Sequence, residues 1–185
     1  MKAYLKEVLL TLSLAIIIFV LLRTFVGQGS EVFDVSMQPT LVEGHRLMVI
    51  KLFYTPQRGD IIVFYPNPEA KRQYVKRLIG LPGDTVEVKN YKVYVNGIAL
   101  NEPYVKEPPN YTMAARTLPE GAYFVLGDNR NHSTDSHYGW TVERNNIVGK
   151  AWLRYWPLNK LGNPGNYSLD DQLSRTKSAL VEVPR

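Results

Sequence analysis

The chain has 185 residues, a formal net charge of +5 and no cysteine. Its length fits one domain plus a short appended segment, and the lack of cysteine excludes disulfides and thiolate sites for zinc or iron–sulfur clusters. Lys and Arg are scattered without a run, so the moderate positive charge suits anionic lipid headgroups at least as well as nucleic acid. We therefore do not expect nucleic-acid binding.

An apolar segment near the N-terminus predicts a membrane-spanning helix. Val8 to Val26 would form a helix of about 19 residues and roughly 28 Å, which matches the hydrocarbon core of a bilayer. Lys2 and Lys6 favour a cytoplasmic N-terminus, which would place the rest of the chain outside the cytoplasm. The alternative is a cleavable signal peptide, but no clear Ala-x-Ala pair follows the segment. We expect an uncleaved signal-anchor.

After this segment, short strands separated by turn residues predict a mainly β fold. The candidate strands are 46–54, 60–65, 73–79, 84–89, 91–95, 122–126 and 147–155. Asn96-Gly97 is typical of a type I′ hairpin turn, in which both central residues have positive φ. We expect a mainly β domain with an antiparallel, barrel-like sheet, preceded by one N-terminal transmembrane helix.

These patterns divide the chain into four parts. Residues 1–7 are expected in the cytoplasm, residues 8–26 in the membrane and residues 27–157 in an extracytoplasmic β-rich domain. Within that domain, residues 84–121 form a hairpin and a proline-rich surface loop. Residues 158–185 are a polar C-terminal tail that could hold a weak helix. The apolar face of that helix would consist of Leu169, Leu173 and Leu180.

Two features that carry function in some other proteins, an Arg-Gly-Asp tripeptide and a set of histidines, do not indicate such a function here. Arg58-Gly59-Asp60 resembles an adhesion tripeptide, but it directly precedes a predicted strand and we interpret it as a turn. The histidines at positions 45, 132 and 137 have no metal-ligand spacing with carboxylates. We predict no metal site.

Ser36 and Lys76 could form a catalytic pair without histidine. In the predicted strand, Lys76 shares a face with Tyr74 and Leu78. Burial disfavours the ammonium form, and burial alone can lower the pKa of a lysine into the neutral range. A neutral Lys76 within hydrogen-bond reach of Ser36 could remove its hydroxyl proton. The alternative is a surface lysine, because the spacing does not show that the two side chains meet.

A polar block over residues 127–136 follows the predicted strand 122–126. It is dense in turn-forming and hydrogen-bonding side chains. It is either a loop at the end of a strand or a polar cluster that orients a catalytic group, and its length favours the second.

Four blocks together resemble the bacterial type I signal peptidases, the membrane-anchored serine proteases that remove signal peptides from exported proteins. The resemblance covers about residues 31–156, and the blocks occur in the order of that family. They are Ser36-Met-x-Pro-Thr40, Arg58-Gly-Asp-Ile-Ile-Val-Phe64, Tyr74-Val-Lys-Arg-Leu-Ile-Gly-Leu-Pro-Gly-Asp84 and Gly127-Asp-Asn-Arg-x-x-Ser-x-Asp-Ser136.

The resemblance implies a role for each matching residue. Ser36 would be the nucleophile, and its backbone N–H would be one donor of the oxyanion hole. Lys76 would be the neutral general base. Ser133 would orient Lys76 through a hydrogen bond, and Asp135 would support that loop. No metal or cofactor is needed for this chemistry.

The resemblance also implies the substrate and its mode of binding. A signal peptide would bind extended beside residues 31–36 and 73–76, and it would be cut after an Ala-x-Ala site on the outer face of a bacterial plasma membrane. Shallow pockets would accept the small side chains. Their candidate lining residues are Val32, Met37, Leu41, Tyr74 and Val75.

Two positions depart from the pattern of the family. Asp34 stands where Ser or Gly is usual, and its charge would oppose a developing oxyanion if it pointed inward. His137 stands where Arg is usual and is positive only when protonated. Two alternatives stay open: a related Ser-Lys peptidase for another precursor class, and a non-catalytic membrane-anchored β module that binds export partners.

Overall fold

A computed structural model describes residues 2–21 and 27–174. Its helix α1 covers Lys2–Leu21, and all side chains from residue 4 to residue 20 are exposed. Within these described ranges, no helix is both long and apolar enough to cross a membrane. The helix begins before the predicted span because Lys2 to Glu7 favour helix as well. Residues 22–26, which end the predicted span, lie outside the described residues, and the transmembrane prediction is not confirmed.

The main sheet has seven strands, all paired antiparallel, in the order β1-β2-β11-β3-β4-β9-β10. β1 and β10 form its two edges, so over the described residues the sheet is open and not a closed barrel. Its strands are β1 Gly27–Glu31, β2 Arg46–Ile50, β3 Ile61–Phe64, β4 Tyr74–Gly80, β9 Ala122–Leu126, β10 Val142–Glu143 and β11 Ile147–Trp156.

A second antiparallel sheet occupies the predicted insertion, in the order β7-β6-β5-β8. Its strands are β5 Thr85–Lys89, β6 Lys92–Val95, β7 Ile98–Ala99 and β8 Met113–Thr117. Asn96 and Gly97 join β6 to β7 with φ values of 53° and 78°, which confirms the predicted hairpin turn. The described part of the chain is therefore mainly β and antiparallel, as the sequence predicted.

The central position of β4 gives its two faces different environments. Leu78 packs with Ile62 in one core cluster, while Ile79 packs in another cluster beneath the second sheet. Because side chains alternate along a strand, Lys76 lies on the face of Leu78 and Arg77 on the face of Ile79. This confirms the predicted orientation of Lys76.

The Arg58-Gly59-Asp60 tripeptide forms the predicted turn, and all three residues have structural contacts. Arg58 pairs with Asp84 over 2.6 Å, and Asp60 accepts a hydrogen bond from the hydroxyl of Tyr54 over 2.8 Å. Gly59 has a φ of +91°, which favours glycine. The adhesion interpretation therefore has no support in this fold.

The described part of the C-terminal tail packs onto the β-domain. Residues 170–174 are helical, and Leu169 and Leu173 are buried in the core beneath the second sheet. Leu180, the third residue of the predicted apolar face, lies outside the described residues. The side chain of Asn166 accepts a hydrogen bond from the backbone N–H of Ile61 over 2.7 Å.

Candidate active site

Ser36 lies in a tight turn that leads from β1 toward β2. The backbone N–H of Gln38 donates to the carbonyl of Val35, and that of Leu41 donates to the carbonyl of Met37. The side chains of Met37 and Leu41 are fully buried in one core cluster. The apolar residues that follow Ser36, Met37 and Leu41, therefore anchor it to the core.

Lys76 reaches Ser36 from β4, the strand beneath this turn. Its Nζ donates a hydrogen bond to Oγ of Ser36 over 2.5 Å, and each residue is only 2% exposed. The two residues predicted as a dyad are therefore in direct contact, although 40 positions separate them in the sequence.

Burial lowers the pKa of the Lys76 ammonium group. The carboxylates of Asp34, Asp135 and Asp128 act in the opposite direction, because negative charges favour the ammonium form, but they do not cancel the effect of burial. The aromatic ring of Tyr74 lies 5.5 Å from Nζ on the same face of β4. This environment favours a lysine that loses its proton more readily than an exposed one.

The polar loop over residues 127–136 holds the backbone at Ser36. The N–H of Asn129 donates to the carbonyl of Ser36 over 2.9 Å, and its side-chain amide donates to the carbonyl of Val35 over 3.2 Å. Asp135 is fully buried and accepts a hydrogen bond from the N–H of Gly127 over 2.9 Å. The block is therefore a loop at the end of β9 that is also bonded to the turn at Ser36.

Ser133 is buried in the same loop but does not bond to Lys76. Within the described residues its Oγ has no hydrogen-bond partner, so the hydrogen bond that the resemblance implied is absent from this structure. A Cβ on Gly127 would lie 2.3 Å from Oγ of Ser133 and 2.4 Å from the carbonyl oxygen of Ser36. Ser133 therefore lies close to the turn at Ser36, and only glycine fits at position 127 between them.

A buried ion pair connects β4, the strand of Lys76, to this loop. Arg77 donates to both carboxylate oxygens of Asp128, over 2.8 and 2.7 Å, and both side chains are fully buried. The hydroxyl of Thr40 donates to the same carboxylate over 2.5 Å. Arg77 directly follows Lys76 on β4, and its side chain lies on the opposite face of the strand. Sequence analysis placed these residues in matching blocks but gave them no role, because charged residues in a block do not show which of them are buried as partners.

The two departures from the family pattern have defined positions. Asp34 points toward the site, with a carboxylate oxygen 3.8 Å from Nζ of Lys76, and its side chain is 66% exposed. Nδ1 of His137 lies 2.7 Å from the Asp135 carboxylate, and its ring stacks on Tyr111 with 4.1 Å between centroids. His137 therefore contacts Asp135 and Tyr111 and does not line the cleft, whereas Asp34 lines the cleft beside Lys76.

An open cleft of about 830 Å³ ends at Ser36 and Lys76. Four of the five predicted pocket residues line it, namely Val32, Met37, Tyr74 and Val75. Leu41 does not line the cleft, since it is buried with Met37 in the core below. Further lining residues that sequence analysis did not single out are Gly29, Ser30, Tyr65, Lys71, Arg72 and Thr134.

Comparison with known proteins places the chain in a family. The family described as Signal peptidase, peptidase S26, matches residues 5–156. Signal peptidase I of Leptolyngbya laminosa is 43% identical over 171 residues, which cover 87% of this chain and 84% of that protein. Signal peptidase IB of Staphylococcus aureus strain Mu50 is 35% identical over 190 residues, which cover 90% and 98%. A solved signal peptidase I from Enterococcus faecalis V583 is 39% identical with a TM-score of 0.46, and covers 52% of this chain and 97% of its own.

The family match runs from α1 to the end of β11, and the relatives align over most of their own lengths. The chain belongs to the signal peptidase family, peptidase S26, and is a serine endopeptidase.

Proposed function

We propose that this enzyme removes N-terminal signal peptides from exported precursor proteins by means of a Ser36–Lys76 dyad. The observation that carries the proposal is the 2.5 Å hydrogen bond between Nζ of Lys76 and Oγ of Ser36, at the end of an open cleft. The names of the similar proteins support signal peptides as the substrate class. Membership in a peptidase family rules against the non-catalytic binding module.

In this proposal, neutral Lys76 takes the hydroxyl proton of Ser36 as Oγ attacks the carbonyl carbon of the scissile bond. The backbone N–H of Ser36 stabilises the resulting oxyanion. The C–N bond then breaks as the Lys76 ammonium returns the proton to the leaving amine, and an acyl ester remains on Ser36. Lys76 next takes a proton from water while the water oxygen attacks the ester, and Oγ regains a proton as the new carboxyl end leaves.

The loop supports this chemistry from behind the dyad. The carboxylate of Asp135 accepts from the backbone N–H of Gly127, which braces the loop. The backbone N–H of Asn129 donates to the carbonyl of Ser36 and its side-chain amide donates to the carbonyl of Val35, so the loop holds the turn at Ser36. We retain Ser133 as a supporting residue because its Oγ is buried, close to the Ser36 carbonyl and unpartnered within the described residues.

The substrate would bind as an added strand. β4 pairs with β3 along residues 74–77, but its pairing with β9 begins only at Arg77. The other edge of residues 74–76 therefore faces the cleft without a strand partner in the described fold, and an extended peptide can bond to it. Val32, Met37, Tyr74 and Val75 would form the shallow pockets that select small side chains at an Ala-x-Ala site.

We further propose that the enzyme acts at a bacterial plasma membrane, with its N-terminus in the cytoplasm and its catalytic domain outside. Helix α1 exposes apolar side chains on all sides, which supports contact with lipid. Lys2 and Lys6 support the cytoplasmic side for the N-terminus. Protease added outside spheroplasts should digest the catalytic domain, and protection of that domain until lysis would refute this topology.

The test of the dyad uses detergent-purified full-length protein and a precursor with an Ala-x-Ala site. Ser36→Ala and Lys76→Ala should each abolish processing, because each removes one half of the dyad. Ser168→Ala and Lys92→Ala are matched controls, since both residues are exposed and lie outside the cleft. Processing by either dyad variant at the parental rate would refute the proposal. If the parent leaves this precursor intact but cleaves another membrane-bound precursor class, the substrate assignment fails and the dyad stands.

A further inference from the structure

Asp34 is the charged side chain in contact range of the dyad that the proposed reaction does not use. One of its carboxylate oxygens lies 3.8 Å from Nζ of Lys76, and the other accepts a hydrogen bond from the N–H of Val35 over 2.6 Å. The second contact fixes the direction of the carboxylate. Its side chain is 66% exposed and lines the cleft, whereas that of Lys76 is 3% exposed.

Besides Asp34, the carboxylates that raise the pKa of Lys76 belong to the polar loop over residues 127–136. The charged residues Glu31, Lys71 and Arg72 line the same cleft but do not pair with Lys76. Asp135 and Asp128 both act on Lys76 over longer distances. Asp128 is already paired with Arg77, and Asp135 is bonded to His137 and to the backbone. β4 itself contributes the uncharged Tyr74 ring. Among these groups, Asp34 alone forms a direct ion pair with Lys76, and it acts from the cleft side.

We propose that Asp34 is a positioning residue that sets the pH range of the peptidase by holding the proton on Lys76 in the free enzyme. The proposal rests on the proposed function, in which Lys76 must be neutral to act. A carboxylate in contact with the amine stabilises its charged form, so activity begins at a higher pH than burial alone would dictate. The catalytic step is unchanged once the proton has left.

The size of the effect follows from the distance and the exposure of the carboxylate. Two unit charges about 4 Å apart in a water-like medium interact with an energy that corresponds to about one pH unit in the titration of a partner. We use the water-like value because solvent reaches most of Asp34. Asp34→Asn keeps the shape of the side chain and removes the charge. It should therefore shift the ascending limb of kcat/KM about one pH unit toward acid.

The experiment compares pH profiles of the parent and Asp34→Asn on a precursor peptide with an Ala-x-Ala site. At pH values below the limb, Asp34→Asn should be about tenfold faster, and the two proteins should converge at alkaline pH. Glu43→Gln removes the same charge from an exposed position outside the cleft and should leave the limb in place. A rate that rises equally at every pH would show that Asp34 acts only on the oxyanion, and would overturn the proposal. An unmoved limb would overturn it as well.

A second readout does not depend on cleavage. The titration of Lys76 can be followed by NMR with isotope-labelled lysine, with Lys76→Arg to assign the signal. Asp34→Asn should lower the midpoint by about one pH unit. If the midpoint moves but no precursor is cut, the positioning role holds and the proposed function fails. If precursor is cut with an alkaline limb and the midpoint does not move, the function holds and the positioning role fails.

Discussion

Replacing Gly127 with alanine tests whether the polar loop sets the position of the nucleophile. Gly127 lies between Oγ of Ser133 and the carbonyl oxygen of Ser36, which a new Cβ would approach to 2.3 and 2.4 Å. Its φ lies outside the left-handed region, so the backbone itself accepts alanine and only the space forbids it. Oγ of Ser133 can rotate away, but Cβ of Ser133, 2.7 Å from the new Cβ, and the backbone carbonyl of Ser36 must both move.

The required movement can be read from these distances. Ordinary contact for a Cβ begins at 3.4 Å, so the Ser36 carbonyl would have to shift by about 1 Å, and Oγ of the same residue would shift with it. Misplacement of a reacting group by about 1 Å can reduce the rate on the order of a hundredfold, equivalent to about 2.7 kcal/mol in activation free energy. The extra methyl group should also lower the free energy of unfolding by about 1 to 3 kcal/mol.

The assay measures kcat on a precursor and, separately, unfolding by urea. Gly149→Ala is the matched control, because its Cβ would lie 2.0 Å from the carbonyl oxygen of Ile50, between β11 and β2 and outside the cleft. We expect Gly149→Ala to lose stability but to keep kcat per folded molecule, and Gly127→Ala to lose kcat at temperatures where it is folded. Parental kcat in Gly127→Ala would refute the inference that the loop fixes the nucleophile.

Three further predictions concern stability. Asp128→Asn should lower the free energy of unfolding by about 3 to 5 kcal/mol in urea titrations, because it leaves the buried Arg77 guanidinium without a carboxylate; a loss below 1 kcal/mol would contradict this. Leu169→Ala should cost about 2 to 5 kcal/mol, because this tail residue is fully buried in the core, and an unchanged midpoint would mean that the tail does not dock. Lys76→Met should stabilise the fold near neutral pH. Burial lowers the pKa of Lys76 in the folded parent, so the free energy of unfolding of the parent rises as the pH approaches the ordinary value of 10.5. The difference in free energy of unfolding between Lys76→Met and the parent should therefore become smaller as the pH rises. A difference that is the same at every pH would argue against a buried amine.

Where local signals were strong, the sequence predicted the fold well. The period-two pattern and the Asn96-Gly97 turn located the hairpin, and β9 begins and ends as predicted. The orientation of Lys76 followed from alternation along one strand. These features depend on neighbouring residues, which a sequence shows directly.

The sequence analysis did not predict β1 or β8. β1 consists of Gly27-Gln-Gly-Ser-Glu31 and owes its form to pairing with β2, which a propensity argument cannot show. β8 lies in the stretch predicted as a surface loop, because the prolines there flank Met113–Thr117 and do not interrupt it. In both cases a distant partner strand decided the structure.

The site shows the same division. Spacing and resemblance together identified Ser36 and Lys76, and the structure places them in contact. The hydrogen bonds from Asn129 to the carbonyls of Val35 and Ser36 join residues more than 90 positions apart in the sequence, so no local pattern predicts them. The resemblance implied a hydrogen bond between Ser133 and Lys76 that the structure does not contain. The sequence also did not show whether Asp34 points toward the site, and in the structure its carboxylate lies 3.8 Å from Nζ of Lys76.

The hydrogen bonds from Asn129 to the nucleophile turn have a consequence for local opening of the chain. The Asn129 amide is bonded to the carbonyl of Ser36, so it can exchange with solvent only when the loop separates from the turn. The Gly127 amide is bonded to Asp135 within the loop, so it can exchange only when the loop itself opens. Asp135→Asn, which weakens the bond inside the loop, should speed exchange at Gly127, and it should also speed exchange at Asn129 if the loop and the turn open as one cooperative unit. The motion that frees the backbone at Ser36 would then be the same motion that frees the loop. The hydrogen-exchange rate of the Asn129 amide would measure its frequency without any substrate.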